Sequence, residues 1–284
     1  MDFGRVKAIL TVVFLLLNAF LIPQWLYQQM DVGVYAQQYA DQLASIRADL
    51  AQHNVQLHAV VPLTDPQMSQ LRVIPDHTSV SVLAQSIFGV HDHIRTLKSG
   101  VISGTGGKLQ MMSAGLFRVT FKPPQGIEQG FLKGDLAKRV KSIIDKHGYN
   151  TGDYQLLRVE GGKVQHNLLF AQMFGGYPDF SNLLRAQVDR TALTDYLQSM
   201  VDVQQTYPPR TVMSALSALL SMVSYMDKMN YHEDNSIIDM RLGYVSFITS
   251  NQGYVLAPVW RIATLKQVFY VHAFSGEVGV GNIS

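Results

Sequence analysis

Apolar and polar positions follow three different patterns along this chain. From Val6 to Tyr27 (VKAILTVVFLLLNAFLIPQWLY) the run is apolar throughout, and no Asp, Glu, Lys, Arg or His occurs between Lys7 and Asp31. As a helix this segment is about 33 Å long, enough for a bilayer core. Arg5 and Lys7 precede it, and Trp25 and Tyr27 close it, where charged and aromatic interface anchors belong. The next basic residue after Asp31 is Arg47. The charge bias predicts a cytoplasmic tail over residues 1–5, a transmembrane helix over 6–27 and an extracytoplasmic remainder. A cleaved signal peptide would need a small-x-small site, and Asn18-Ala-Phe-Leu-Ile-Pro-Gln24 offers none. A buried soluble helix is the competing reading, because the strictly apolar part, 8–22, is near the short limit for a span. Snorkelling by Lys7 and anchoring by Trp25 and Tyr27 lengthen it.

The second pattern is helical spacing. Residues 35–54 place Tyr39, Leu43, Ile46 and Leu50 on one face. Further helices are expected at 79–88, at 132–147 before Gly148, and at 211–228, where Met213, Leu216, Leu220, Val223 and Met226 form a stripe. The third is alternation. Strands are expected at 55–63, 97–103, 108–112, 116–122, 154–160, 163–170, 183–188, 237–249, 254–264 and 267–273. Glycine turns separate several of them, among them Gly161-Gly162. A helix followed by a three-stranded meander, used repeatedly, predicts an α+β fold with antiparallel sheets. Pro123-Pro124 is a break. It divides the outer region into a juxtamembrane helix with a first α+β domain (28–125) and a second α+β domain (126–284).

Composition narrows the function. Of the 284 residues, 47% are hydrophobic and 15% charged, so the region outside the membrane can bury a core and is not disordered. A net charge of +2 implies no nucleic-acid surface. With no cysteine, disulfides, thiol catalysis and cysteine-based zinc sites are excluded.

Candidate chemistry is sparse. Ser103-Gly-Thr-Gly-Gly-Lys-Leu109 fails the phosphate-loop spacing and reads as a hairpin turn. His232-Glu233 lacks the second histidine of a zinc-protease helix, which would fall on Ser236. His91 and His93 flank Asp92 without a further ligand nearby, and a solvated loop is the favoured reading. Asp179, Asp189, Asp195 and Asp202 are expected in turns and helix starts, as caps. No catalytic, cofactor-binding or metal-binding residues emerge, and the chain reads as a non-enzyme without a cofactor. The anchor is more informative. Thr11, Asn18 and Trp25 recur every seven residues, with Phe14 and Leu21 beside them on the same face. An amide in hydrocarbon usually faces another helix, so this stripe is the expected partner contact. The alternative is that Asn18 bonds its own backbone.

The opening MDFGRVKAILTVVFLLLNAFL resembles the start of the YycI (WalI) proteins. The resemblance continues in Gln205-Thr206-Tyr207, MSALSALLSMVSYM (213–226), NSIIDMRLGYVSFI (235–248), YVLAPVWRIA (254–263) and VFYVHAFSGEV (268–278), and more loosely in FAQMFGGYPDF (170–180). It implies a single-pass regulator encoded beside an essential two-component system for cell-wall metabolism. It further implies two extracytoplasmic α+β domains, and partners in a YycH-type sister protein and a YycG (WalK)-type sensor histidine kinase, reached partly through transmembrane helices. The last two motifs also resemble the end of a PepSY-type domain. That resemblance implies the alternative function, a ligand-binding or inhibitory module acting on a secreted or wall-associated enzyme.

Overall fold

The computed structural model describes residues 13–14, 17–18, 37–63, 66–89, 94–97, 100–127, 133–146, 152–162, 164–232, 235–246 and 252–282. Most of the transmembrane segment predicted over 6–27 therefore lies outside the described residues. Among those described, no helix is long and apolar enough to cross a membrane.

Among the described residues beyond 36, four helices accompany an extensive sheet. Helix α1 covers residues 37–52. It is followed by β1 (Val55–Leu57), β2 (Gln67–Met68), β3 (Leu71–Pro75) and α2 (Val80–Phe88). Next come β4 (Arg95–Thr96), β5 (Val101–Gly104), β6 (Gly107–Ser113), β7 (Leu116–Gly126) and α3 (Lys133–Lys146). The central part holds β8 (Tyr154–Gly161), β9 (Gln165–Phe174), β10 (Tyr177–Asp189), β11 (Ala192–Ser199), β12 (Val201–Thr206) and β13 (Arg210–Thr211). Helix α4 (Ala215–Met229) leads into β14 (Asn235–Val245), β15 (Tyr254–Thr264), β16 (Gln267–His272) and β17 (Val278–Asn282).

The helix-then-meander pattern is present, with a meander of four strands after each of α2, α3 and α4 rather than three. Strands β4–β7 form an antiparallel meander, β8–β11 a second and β14–β17 a third. The first two join through β11 and β7. The extra strands follow from short alternations that read as polar. In β11 (ALTDYLQS) only every second or third side chain is buried, and β17 is rich in glycine.

Two apolar cores result. One gathers Leu83, Ala84 and Ile87 of α2 and Val140 and Ile144 of α3 against Phe117, Phe170, Leu184 and Tyr196 of the sheet. The other gathers Ile46 and Leu50 of α1 and Leu219, Met222 and Met226 of α4 against Val73, Met240, Trp260 and Phe269. Helix α4 begins later than expected because Arg210 and Thr211 pair with β2 instead. Ser214 caps it, accepting from the Ser217 amide at 3.1 Å. Its buried face includes Leu219 and Met222, whereas Leu220, expected on the stripe, is 47% exposed. Helix α1 is pinned by His53, whose Nδ1 lies 2.8 Å from the Tyr231 carbonyl and whose Nε2 lies 2.9 Å from Asp227 Oδ1.

Long-range pairing closes the second unit. β1 runs parallel to β14, and β3 lies between β12 and β15. The two units of sheet meet where β10 and β14 run parallel, with Asp179 opposite Tyr244. Gly175 and Gly176, both at positive φ, turn β9 into β10 just before this point. The aspartates expected as caps lie in strands: Asp179 and Asp189 in β10, Asp195 in β11 and Asp202 in β12.

Candidate functional site

The junction between β10 and β14 carries a buried polar network. Asp179 is fully buried. Its Oδ1 accepts from the Ser181 amide at 2.8 Å and its Oδ2 from Asn182 Nδ2 at 2.6 Å. Asn182 Oδ1 accepts in turn from Ser199 Oγ at 2.8 Å and the Tyr254 hydroxyl at 2.9 Å. These four residues belong to β10, β11 and β15, so the network ties both units of sheet together. Ser181 Oγ accepts from the Ser246 amide just beyond β14.

A second clamp lies alongside. Gln172 of β9 donates from Nε2 to the Val201 carbonyl at 2.9 Å, and its Oε1 accepts from the Val201 amide at 3.2 Å. A side-chain amide here imitates a strand neighbour and fixes the start of β12. The Tyr154 hydroxyl donates to the Ser199 carbonyl. A 400 Å³ cavity opens beside the network, lined in part by Pro75, Ser113, Asn182, Met200 and Tyr254.

Burial dominates the electrostatics. It raises the Asp179 carboxyl to about 6 despite the hydrogen bonds that favour the anion. It also raises the Tyr254 and Tyr244 hydroxyls to about 12. No cation pairs with Asp179 in these hydrogen bonds, which come from amide donors.

On the sheet faces turned away from the helices lies a cleft of about 450 Å³. Its position follows from strand alternation. Leu184 and Ala186, Met240 and Leu242, and Trp260 and Ile262 face the helical cores, so Arg185, Arg241 and Arg261 face the other way. Phe180, Val245 and Val259 form a small apolar cluster there, with Leu157 and Tyr270 packed on it. Asp239 Oδ1 accepts from Arg241 Nε at 2.9 Å, and its Oδ2 from Arg261 Nη1 at 3.1 Å. Arg158 pairs with Glu160. Burial lowers the Arg261 pKa from its ordinary value.

Of the sequence-expected site residues, Phe14 and Asn18 are described. Asn18 Nδ2 donates to the Phe14 carbonyl at 2.8 Å, the backbone bond weighed as the alternative. Thr11, Leu21, Trp25, Arg5, Lys7 and Tyr27 lie outside the described residues, as do His91 and His93. Among the described residues no three His, Cys, Asp or Glu side chains cluster as a metal site would require. Sequence reasoning did not single out the four cleft arginines. Asp239-x-Arg241 and Arg158-x-Glu160 each place opposite charges on one strand face, and that spacing was the available signal.

A family model described as YycI protein matches residues 36–274. The chain belongs to the YycI family. Membership suggests a regulator in the YycGHI system. The matched range contains the junction network, the arginine cleft and both cores. No curated protein matches. Among solved structures, an uncharacterised protein from Eubacterium rectale is 10% identical, covering 81% of this chain and 91% of that one, with a TM-score of 0.53. This likeness concerns the fold alone. The C-terminal domain of YpeB from Bacillus megaterium, also 10% identical, covers 72% of this chain and 98% of its own, at a TM-score of 0.38. No argument rests on that looser likeness.

Proposed function

We propose that this YycI-family chain is a non-enzymatic, membrane-anchored regulator. Its N-terminus is cytoplasmic and its α+β region lies outside the membrane. It associates with a YycH-type sister protein and a YycG (WalK)-type sensor kinase, and it modulates a two-component system controlling cell-wall metabolism. The observation that carries this reading is the family match over residues 36–274. The charge bias around the N-terminal apolar run supports the anchor and its orientation. The test is quantitative co-purification from membranes of cells expressing a tagged chain, with sister protein and kinase measured in the same eluate. Recovery of both, together with altered kinase output on deletion of the gene, is the expected result. Recovery of neither, with unchanged output, would overturn it.

A second reading, a ligand-binding or inhibitory module acting on a secreted or wall-associated enzyme, is favoured by one observation. The cleft on the outer sheet faces combines a volume of about 450 Å³, apolar lining and charge, attributes of a small-molecule site.

A further inference from the structure

The cleft between the two units of sheet holds more positive charge than its own carboxylates neutralise. Arg158 on β8, Arg241 on β14 and Arg261 on β15 line it, and they face two carboxylates, Asp239 in the lining and Glu160 on Arg158. Asp239 takes one N–H from Arg241 and one from Arg261. Tyr270 also hydrogen-bonds Arg261, and a guanidinium carries five N–H donors in a fixed planar fork, so several donors on those two arginines are left over after Asp239 and Tyr270 are served. Arg158 binds Glu160 through Nη2, while its Nε is buried without a hydrogen-bond partner. Arg158 and Arg261 also act on each other as like charges, adding to the effect of burial on Arg261. An incoming anion would relieve that repulsion and accept the spare donors in a bidentate geometry that suits phosphate and carboxylate.

The rest of the lining is not that of a simple anion site. Leu157, Leu169, Phe180, Val268 and the ring of Tyr270 supply apolar surface beside the guanidinium groups. The Arg261 guanidinium sits 5.5 Å from the centre of the Phe180 ring, and the Tyr270 ring lies 6.2 Å from it. The volume, about 450 Å³, falls within the range of small-molecule sites.

We propose that this cleft binds a small amphipathic anion, an oxyanion group carried on an apolar body. The oxyanion sits among Arg158, Arg241 and Arg261, and the apolar body lies against Phe180, Leu169 and Val268. The proposal goes beyond the regulatory function and does not depend on it, since binding is read on the isolated chain and partner association is not.

The test is isothermal titration of the full chain in zwitterionic detergent with phenyl phosphate and with benzoate. Benzyl alcohol serves as the uncharged body and inorganic phosphate as the bodiless charge. Saturable one-to-one binding of at least one aromatic anion is expected, with benzyl alcohol and inorganic phosphate at least fivefold weaker. Arg241→Gln and Arg158→Gln should each weaken it at least fivefold. Arg241 is the more exposed of the two paired arginines on Asp239, so its replacement spares the core. If either variant loses its cooperative thermal transition, the other carries the comparison. Lys228→Gln, in the last turn of α4, removes a charge outside the cleft and should leave binding unchanged. Absence of saturable binding by both aromatic anions would overturn the proposal. So would equal binding of benzyl alcohol, equal affinity in the folded arginine variants, or an equal loss in Lys228→Gln.

Discussion

Asn182 donates from Nδ2 to Asp179 Oδ2 at 2.6 Å, and Asp179 is the residue at which β10 pairs with Tyr244 of β14. A buried carboxylate held by amides rather than by a cation is disfavoured as an anion. The strand junction therefore contains a group whose protonation is coupled to the stability of the assembled sheets.

The pH dependence follows from the sign of that shift. Burial raises the folded-state pKa of Asp179 from 3.8 to about 6, so between those values the folded protein binds more protons than the unfolded chain. The penalty of the buried charge is absent below the unfolded pKa and fully present above about 6. Asp179 thus contributes a loss of about 3 kcal/mol as pH rises through this window. Urea unfolding of wild type and Asp179→Asn between pH 4.5 and 7.5 checks it. The stability of wild type relative to the variant should fall as pH rises, and a pH-independent difference would refute the assignment.

The same aspartate shows what the sequence made legible and what it did not. The third helix-and-meander unit could be read in advance because α4 has helical apolar spacing and β15 spans the residues expected of it. The strands β11 and β12 could not. ALTDYLQS and VDVQQT carry Asp and Gln within the strand, and without knowledge of the neighbouring strands such residues read as turn formers. Asp179 looked like a cap for the same reason, and its Oδ1 does accept a local amide from Ser181, but from inside a strand. Pairings such as β1 with β14 join residues far apart in sequence, where no local pattern specifies a partner. The arginine cleft depends on those pairings, since Arg158, Arg185, Arg241 and Arg261 converge only once the sheets are assembled.

Gln198 offers a second test. Its side chain is fully buried in β11, and neither amide atom has a hydrogen-bond partner. An unsatisfied buried polar group costs about 1–3 kcal/mol. Gln198→Met keeps the length of the side chain and removes both orphan atoms, so it should stabilise the protein by about 1–3 kcal/mol. The urea midpoint should rise with an unchanged slope. A fall would show that the amide is serving a partner in solution.

Gly243 marks the closest approach at the junction. A Cβ there would lie 2.4 Å from the Pro178 carbonyl oxygen and 2.6 Å from Cε2 of Phe180. One of these atoms is backbone and cannot rotate away, so β10 and β14 would have to separate. Gly243→Ala should cost about 3 kcal/mol, the upper part of the range for overpacking. Gly162→Ala, where an added Cβ meets nothing within 4 Å, should be close to neutral and serves as the control. Equal urea midpoints for the two variants would contradict the close approach.

The last prediction concerns the proposed anchor. Asn18 uses one amide N–H on the Phe14 carbonyl, which leaves a second N–H and Oδ1 for other partners. If those meet another helix in the membrane, the stripe Thr11, Phe14, Asn18, Leu21 and Trp25 is the contact face. Asn18→Leu keeps the segment apolar, so insertion should be retained or improved. The loss would be one interhelical hydrogen bond, about 0.5–2 kcal/mol, which corresponds to about twofold to thirtyfold in association. Contacts between outer regions would persist, so the complex should weaken without disappearing. Single-cysteine variants along residues 8–25 read the face directly, because the chain has no native cysteine to confuse the crosslinks. Crosslinking to partner helices should peak at positions 11, 14, 18, 21 and 25, and the peak should diminish in Asn18→Leu. Uniform crosslinking around the helix, or a pattern unaffected by Asn18→Leu, would remove Asn18 from the contact.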